Sequence, residues 1–318
     1  MAAVGSVSVV VPVFNERESI GPLIDELLPV LDGLGVPTEV VVVDDGSTDG
    51  TRAILEVLVD HHPSVRAVFL RRNFGKGAAL MAGFREATSE VIVTIDGDLQ
   101  DDPAEIPRLV AGIEEGADLV SGWKADRRDP WSKRAASKVF NAVTARVSGL
   151  ALRDLNCGFK AYRREVVESL ALTGDLYRYI PVLAATEGFK VQEVAVNHRP
   201  RRFGKSKYGL ERYVRGLLDL VTIVFIGRFR NRPMHLFGGL GLVFALLGTA
   251  ISTYMALLKF TGHAIGTRPL LLLGVLLIVV GIQLMTIGLL SELVQRNHLR
   301  RSVDEVAARV ERVVGGDS

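Results

Sequence analysis

Val91-Ile92-Val93-Thr94-Ile95 is an apolar run that ends in Asp96-Gly97-Asp98, and its reading sets the architecture of the chain. Five β-prone residues followed by a glycine turn describe a buried strand. Two carboxylates one residue apart at a strand end project into one crevice, a hard-oxygen site suited to Mg²⁺ or Mn²⁺ bridging nucleotide phosphates. Working outward, an earlier strand ends in Val11-Pro12-Val13-Phe14-Asn15-Glu16, and another in Val43-Asp44-Asp45-Gly46-Ser47-Thr48-Asp49-Gly50-Thr51. The first run itself continues as Leu99-Gln100-Asp101-Asp102-Pro103. Three acid-rich strand ends before residue 105 imply a single crevice at the carboxyl edge of a mainly parallel sheet.

The surrounding pattern alternates. Strands are expected at Val7–Val13, Glu39–Val43, Val65–Leu70, Val91–Ile95, Asp118–Ser121 and Val191–Val196, nearly continuous in apolar character as for strands covered on both faces. Helices are expected at Glu18–Leu34, Gly50–Asp60, Gly77–Ala87, Pro103–Glu115 and Ser132–Ser148. Thr48 and Asp49 read as N-caps, Pro103 as a first helical residue, and Asp101 and Asp102 as capping acids beside it. The result is a three-layer α/β domain. Asn73-Phe74-Gly75-Lys76-Gly77 is neither a Walker A loop nor a dinucleotide fingerprint, and reads as a tight strand-to-helix turn beside the crevice.

The C-terminal third differs. Of the 318 residues 48% are hydrophobic, and the excess is concentrated: His235–Leu258 and Pro269–Ser291 contain no Lys, Arg, Asp or Glu. Each run is long enough to cross a hydrocarbon core, and the short loop from Lys259 to Arg268 makes them a hairpin. Arg228, Arg230 and Arg232 precede it and Arg296, Arg300 and Arg301 follow, which places both termini and the N-terminal domain in the cytoplasm. Met1–Gly5 leads directly into the first strand, so no signal peptide is expected. Ten Lys or Arg against two acids between Arg199 and Arg232 form a basic collar facing anionic headgroups. Gly209–Phe229 reads as an amphipathic helix, lying along the membrane interface or packed on the catalytic domain. Val303, Val306, Val310 and Val313 suggest a further helix in the tail. Expected boundaries are therefore 1–207, 208–232, 233–292 and 293–318. A net charge of +2 gives no indication of nucleic acid, and the single Cys157 excludes an internal disulfide and a thiolate metal site. The histidines form no metal-ligand pattern.

Together these strings resemble the family 2 inverting glycosyltransferases, and among them the polyprenyl-phosphate sugar transferases, including the dolichol-phosphate mannose synthases, the bactoprenol glucosyltransferases and the formamido-arabinose transferases. The resemblance implies a GT-A-type nucleotide-sugar-binding fold and a homo-oligomer, a tetramer. It implies that Pro12, Phe14 and Glu16 contact the nucleotide, that Asp44 and Asp45 read the base edge (or cap turns), and that Asp96, Asp98 and Gln100 hold the metal. Lys124, Lys133 and Ser137 match the acceptor-phosphate positions, with lysines where the family often has arginine. Arg201, Ser206 and Lys207, in Arg201-Arg202-Phe203-Gly204-Lys205-Ser206-Lys207, match a lid over the diphosphate, while the same charges also suit a basic membrane patch. Asp98 and Arg201 are then catalytic. Asp154, in Asp154-Leu155-Asn156-Cys157-Gly158-Phe159-Lys160, organises the acceptor or serves as base. The implied reaction moves a sugar, UDP-glucose first and GDP-mannose second as donor, onto a polyprenyl phosphate at the inner leaflet. The rivals are a transferase to a lipid or glycan hydroxyl and a non-catalytic membrane scaffold.

Overall fold

The computed structural model describes residues 3–124, 152–154, 157–170, 174–199, 233–261, 269–298 and 310–315. The expected helix at 132–148 and the amphipathic stretch at 209–229 lie outside them, as do Lys133, Ser137, Arg201, Ser206 and Lys207.

The N-terminal unit alternates strand and helix: β1 (Val7–Val13), α1 (Ile20–Asp32), β2 (Thr38–Asp44), α2 (Thr51–His61), β3 (Val65–Leu70), α3 (Lys76–Glu86) and β4 (Val91–Thr94). A 3-10 turn at Pro103–Glu105 leads into α4 (Ile106–Glu114), then β5 (Leu119–Lys124), β6 (Lys160–Arg163), α5 (Arg164–Ser169), α6 (Ile180–Thr186) and β7 (Val191–Val196). β1, β3 and β7 run as expected from the sequence; the other expected strands shift by one to three residues at their ends. The sheet order among the described residues is β7-β5-β6-β4-β1-β2-β3-β8, where β8 is Val310–Val314.

Alternation along the strands builds the three layers. Val7, Val9, Val11 and Val13 of β1 face α1, α2 and α4, where Leu23, Leu27, Leu55 and Leu109 complete one core. Val10 faces the other way, with Val41 and Val43 of β2, against Ala79, Leu80 and Phe84 of α3 and Leu183 of α6. α1 buries Ile20, Leu23, Ile24, Leu27 and Leu31, a stripe at helical spacing. Each such fully buried side chain contributes roughly 1.5–3 kcal/mol.

The parallel centre, β3-β2-β1-β4, matches expectation. Two strands not read from the sequence make the sheet mixed. β6 inserts antiparallel between β4 and β5. β8 pairs antiparallel with β3, Ala67 opposite Val314 and Val68 opposite Val313, so Val310 and Val313 sit in a strand, not the helix their spacing suggested. The topology also places the crevice. β2 and β3 lie on one side of β1 and β4 on the other, so the crossover direction reverses there. β4 pairs with β1 only from Val7 to Val10, while β1 continues with β2 to Val13. Beyond residue 10 the strands part, and Pro12, which has no N–H to donate, borders the opening.

Among the described residues, the second unit, Arg228–Arg301, holds α7 (Pro233–Phe260, 28 residues) and α8 (Pro269–His298, 30 residues). Both are long and apolar enough to cross a membrane, and both cover the expected spans. Their outer faces leave Leu246, Leu257, Leu272 and Leu276 exposed, as a lipid-facing surface does. The helices touch through glycines. A Cβ on Gly241 would lie 2.5 Å from the Gly281 carbonyl oxygen, and one on Gly248 2.5 Å from that of Gly274.

Two outcomes follow from this packing. Gly248→Val forces the hairpin apart and lowers the thermal midpoint in detergent, whereas Gly239→Val, which has nothing within 4 Å, leaves it unchanged; equal midpoints would contradict the interface. Removing residues 302–318 exposes the β3 edge. A few ladder hydrogen bonds at about 0.5–1.5 kcal/mol each put the cost on the order of 2–4 kcal/mol. Hydrogen exchange at Ala67–Leu70 reads it directly, and unaltered protection would remove β8 from the sheet.

Candidate active site

The crevice at the ends of β1 and β4 has a volume of about 300 Å³ and is lined by Pro12, Phe14, Glu16, Asp45, Lys76, Asp96 and Asp98, among others. Its walls are two interlocked loops. Ser47 Oγ accepts from the Asn15 amide (2.9 Å), Asn15 Oδ1 from the Thr48 amide (2.8 Å), Thr51 Oγ1 from the Glu16 amide (3.1 Å) and Asp49 Oδ2 from the Arg17 amide (3.2 Å). Two hydroxyls and a carboxylate of the second acid-rich string thus satisfy backbone amides of the first, and the Asn15 side chain returns one bond to the second. Neither expected residue is the N-cap of α2, which is Gly50 with a left-handed backbone (φ 96°); Asp49, one residue before it, accepts from the Thr51 amide at 3.0 Å through Oδ1. Asn15 takes a left-handed backbone (φ 58°), which asparagine tolerates. Phe14 is 44% exposed, an aromatic face left open at the crevice mouth. Glu16 accepts from Ser19 Oγ at 2.5 Å.

Asp44 and Asp45 part company. Asp44 is fully buried, accepting from the Ser47 amide (3.1 Å) and Arg52 Nε (2.7 Å), and lies behind the crevice wall. Its carboxylate therefore organises the turn. Asp45 borders the crevice and accepts from the Phe74 and Gly75 amides (2.7 and 2.8 Å). Burial pushes its carboxyl up despite those bonds.

Asp96-Gly97-Asp98 forms the floor. A Cβ on Gly97 would lie 2.7 Å from Val13 Cγ1, so glycine is what lets the loop lie against β1. A Cβ on Gly158 would lie 2.6 Å from Asp96 Oδ1, so this glycine gives the carboxylate its seat. Leu99 follows with φ 62°, strained for a bulky residue and buried under the loop. Lys76, at the start of α3, donates to Asp96 Oδ1. Burial pushes the Asp96 carboxyl up, but the attraction and hydrogen bond of Lys76 outweigh it and hold it below the ordinary range, with Lys124 and Lys160 adding to the pull. Lys76 is held above its ordinary value in turn, burial being outweighed by Asp96.

Gln100 is turned elsewhere. Its backbone amide donates to Asp98 Oδ1 (3.2 Å), while its side-chain amide lies 3.4 Å from His198 Nε2, outside the crevice lining. Lys124 Nζ is 3.2 Å from the same nitrogen. With donors from Lys124 and Gln100 at Nε2, the hydrogen sits on Nδ1, which faces Asp101 Oδ1 at 3.3 Å. Asp101 accordingly serves His198 and the bridge between their backbones, not a helix cap; Asp102 does cap, accepting from the Ala104 amide at 3.1 Å. Asp154 is buried, its amide donating to Glu193 of β7 (3.0 Å) beside Arg153, which stacks 4.5 Å over Trp123. Cys157 is buried with its thiol pushed up to about 11, which keeps it protonated and inert. Beneath it Lys160 donates to the Cys157 carbonyl, and burial lowers its pKa.

The structure thus gathers Pro12, Phe14, Glu16, Asp45, Asp96 and Asp98 on one crevice, with Lys124 acting on Asp96 from the same edge. Sequence reasoning missed Lys76, Lys160 and His198. For Lys76 the available signal was its place as the first helical residue after Gly75; nothing in a lone histidine or an interior lysine marked the other two.

The donor chemistry fits a hard divalent cation. Asp96 and Asp98 supply carboxylate oxygens, and among the described residues no group of three His, Cys, Asp or Glu is gathered to enclose a metal. A cation here would complete its shell with substrate phosphate oxygens, the usual habit of Mg²⁺ at nucleotide sites.

Comparison with known proteins agrees with this geometry. The fold resembles glucosyl-3-phosphoglycerate synthase of Mycobacterium tuberculosis solved with Mn²⁺, UDP and glucosyl-3-phosphoglycerate, with a TM-score of 0.54 and 23% identity over 69% of this chain and 78% of that one. Dodecaprenyl-phosphate galacturonate synthase of Rhizobium johnstonii is 38% identical over 299 residues, 92% of this chain and 88% of the relative. Undecaprenyl-phosphate 4-deoxy-4-formamido-L-arabinose transferase of Enterobacter sp. (strain 638) is 36% identical over 297 residues, 92% and 89% respectively. The pattern of Glycosyl transferase family 2 matches residues 8–171, and this chain belongs to that family, among relatives that are polyprenyl-phosphate sugar transferases.

Proposed function

We propose that the chain transfers one sugar from a nucleotide diphosphate donor to a polyprenyl phosphate, with inversion at the anomeric carbon. The observation that carries this reading is the pair Asp96 and Asp98 on the floor of an open crevice that also presents Phe14, Glu16 and Lys76. Phe14 would stack on the base and Glu16 would accept a ribose hydroxyl. A divalent cation on Asp96 and Asp98 would neutralise the diphosphate as it leaves. Lys124, held by His198 at the crevice edge, would attract the acceptor phosphate, with Lys133 and Ser137 completing that site.

In the transfer, a phosphate oxygen of the lipid forms a bond to the anomeric carbon as the bond from that carbon to the diphosphate oxygen breaks. The electron pair of the broken bond leaves with the nucleoside diphosphate. A phosphate monoester is already ionised near neutral pH, so no side chain need remove a proton. The burial of Asp154 supports an organising role over that of a base. Arg201, Ser206 and Lys207 would close over the diphosphate.

Two helices able to span a membrane support action at the bilayer, and the basic residues flanking them support a cytoplasmic catalytic unit. The sugars in the relatives' names are galacturonate and 4-deoxy-4-formamido-L-arabinose, so these join glucose and mannose as donor candidates.

The test uses detergent-purified chain, Mn²⁺ or Mg²⁺, undecaprenyl phosphate and nucleotide-linked forms of these sugars, reading nucleotide release and lipid mass. The expected product is a lipid heavier by one sugar, with metal and one donor required. Nucleotide release indifferent to the lipid phosphate would overturn the acceptor and direct attention to hydroxyls and Asp154. Asp98→Asn should lower turnover by about 10²–10³-fold, the scale of losing one charge-stabilising group. Its thermal midpoint should be unchanged; an active Asp98→Asn would remove that residue from the site.

A further inference from the structure

A second, smaller recess adjoins the crevice and differs from it in charge. It has a volume of about 20 Å³ and is walled by Lys160, Arg178, Tyr177, Thr94 and Gly158, with Lys76 shared between the two. The crevice carries Glu16, Asp45, Asp96 and Asp98, whereas three cations and no acid line the recess. Asp96 marks the boundary, since its Oδ1 lies only 2.6 Å from where a Cβ on Gly158 would stand. Lys76 is already engaged by Asp96. Lys160 is not matched in this way. It stands opposite Thr94 in the β4–β6 ladder and is 3% exposed. Its ammonium has three donors, and the Cys157 carbonyl takes one. Among the described residues no carboxylate pairs with it; Asp96 and Asp154 attract it from farther away. An ammonium buried without an opposite charge against it is costly, and an anion entering the recess would supply that charge. Arg178, on the 3-10 turn at Gly174–Tyr179, brings a guanidinium to the same wall, its Nε donating to the Tyr177 hydroxyl at 3.3 Å.

The structure assigns this recess to a carboxylate borne by the donor sugar, which makes the donor a nucleotide-linked hexuronate. This rests on the nucleotide-sugar reading above. Size supports the assignment. The recess holds about one or two waters, close to a carboxylate and short of a sugar ring or a phosphate with its four oxygens. With the diphosphate held at Asp96 and Asp98, the ring would stay in the crevice and only its substituent would reach past Gly158. Of the donor candidates, glucose and mannose carry a neutral hydroxymethyl group on the ring, and 4-deoxy-4-formamido-L-arabinose carries no sixth carbon. Galacturonate carries a carboxylate there. Lys160 and Arg178 would each donate to it, the guanidinium fork matching its two oxygens. A neutral sugar would leave the buried ammonium without a counter-charge, so the recess discriminates by penalty as well as by attraction.

The experiment uses the full-length chain in detergent with Mn²⁺ and undecaprenyl phosphate. It compares kcat/KM for UDP-galacturonate and UDP-galactose, which differ only in carboxylate against hydroxymethyl. The wild type should favour UDP-galacturonate by about 10²-fold or more, the scale of one or two charge-assisted hydrogen bonds. Lys160→Met should cut that preference by about 10–100-fold and leave the KM for undecaprenyl phosphate unchanged. Arg178→Gln should cut it in the same direction, and carries the measurement should Lys160→Met fail to fold. A wild type that uses UDP-galactose, or another of the neutral donors, as well as UDP-galacturonate overturns the inference and leaves the transferase reading standing. A folded Lys160→Met with the wild-type preference does the same. If that variant instead raises the KM for the lipid while its donor preference holds, the recess belongs to the acceptor phosphate and the inference falls. No lipid product from any of these donors removes the transferase reading, and the inference with it.

Discussion

A carboxylate kept ionised at the end of a fully buried strand is the constraint on which the rest of the site depends. β4 delivers Asp96 from among Val91, Ile92 and Val93, all without solvent contact, into a half-buried position where an isolated charge is costly. Three lysines from three separate elements offset that cost: Lys76 from α3, Lys124 from the end of β5 and Lys160 from β6. Gly158 must leave its Cβ position empty for the carboxylate to sit there at all. The antiparallel insertion of β6 between β4 and β5 is what brings Gly158 and Lys160 to Asp96, so the break in the parallel sheet serves the site.

The crevice walls follow a different logic. A loop that borders a polar crevice exposes backbone amides, and each must find a partner. Here the partners are short side chains of the neighbouring loop, Ser47, Thr51 and Asp49 for the amides of Asn15, Glu16 and Arg17. Asp44 and Asp45 do the same for Ser47, Phe74 and Gly75. Much of the acidic and hydroxyl content that marks these strings is therefore consumed in building the rim. What remains directed at the opening is a small set: the Phe14 ring, Glu16, Lys76, Asp96 and Asp98.

This division explains what could be read from the chain. Runs such as Val40–Val43 and Val91–Thr94 announce strands because a parallel sheet covered on both faces leaves little room for polar interruption. β6, Lys160-Ala161-Tyr162-Arg163, has no such run: it opens on a buried lysine and lasts four residues. β8 carries Val310 and Val313 three apart, a helical spacing by number alone, and only pairing with β3 across the sequence makes it a strand. The crevice was legible because Pro12, Phe14, Glu16, Asp96 and Asp98 stand at strand ends. Asp44 was not separable from Asp45, since adjacent side chains at a strand end point to opposite sides and the sequence does not say which side is solvent. Lys76 looked like one residue of a glycine turn; its partner lies twenty positions away, a separation that no local pattern encodes.

The remaining argument concerns how the floor of the crevice is tied to the end of β7. Arg199 donates through its backbone to the Gln100 carbonyl at 2.7 Å, and its guanidinium spans Glu26 of α1 (2.5 Å) and Asp102 (2.8 Å). One residue earlier, His198 bridges Asp101, Gln100 and Lys124. The segment that follows Asp98 is thus bonded at consecutive residues to the segment that precedes Arg201. Glu26 lies on α1, whose apolar stripe is locked into the sheet, so this junction is fixed to the rigid part of the domain. The chain enters the basic glycine-containing string from a point set by the same contacts that hold the loop after Asp98. Asp98 Oδ1 accepts from the Gln100 amide at 3.2 Å and the Gln100 carbonyl accepts from the Arg199 amide, so two hydrogen bonds join the Asp98 carboxylate to the point where that string begins.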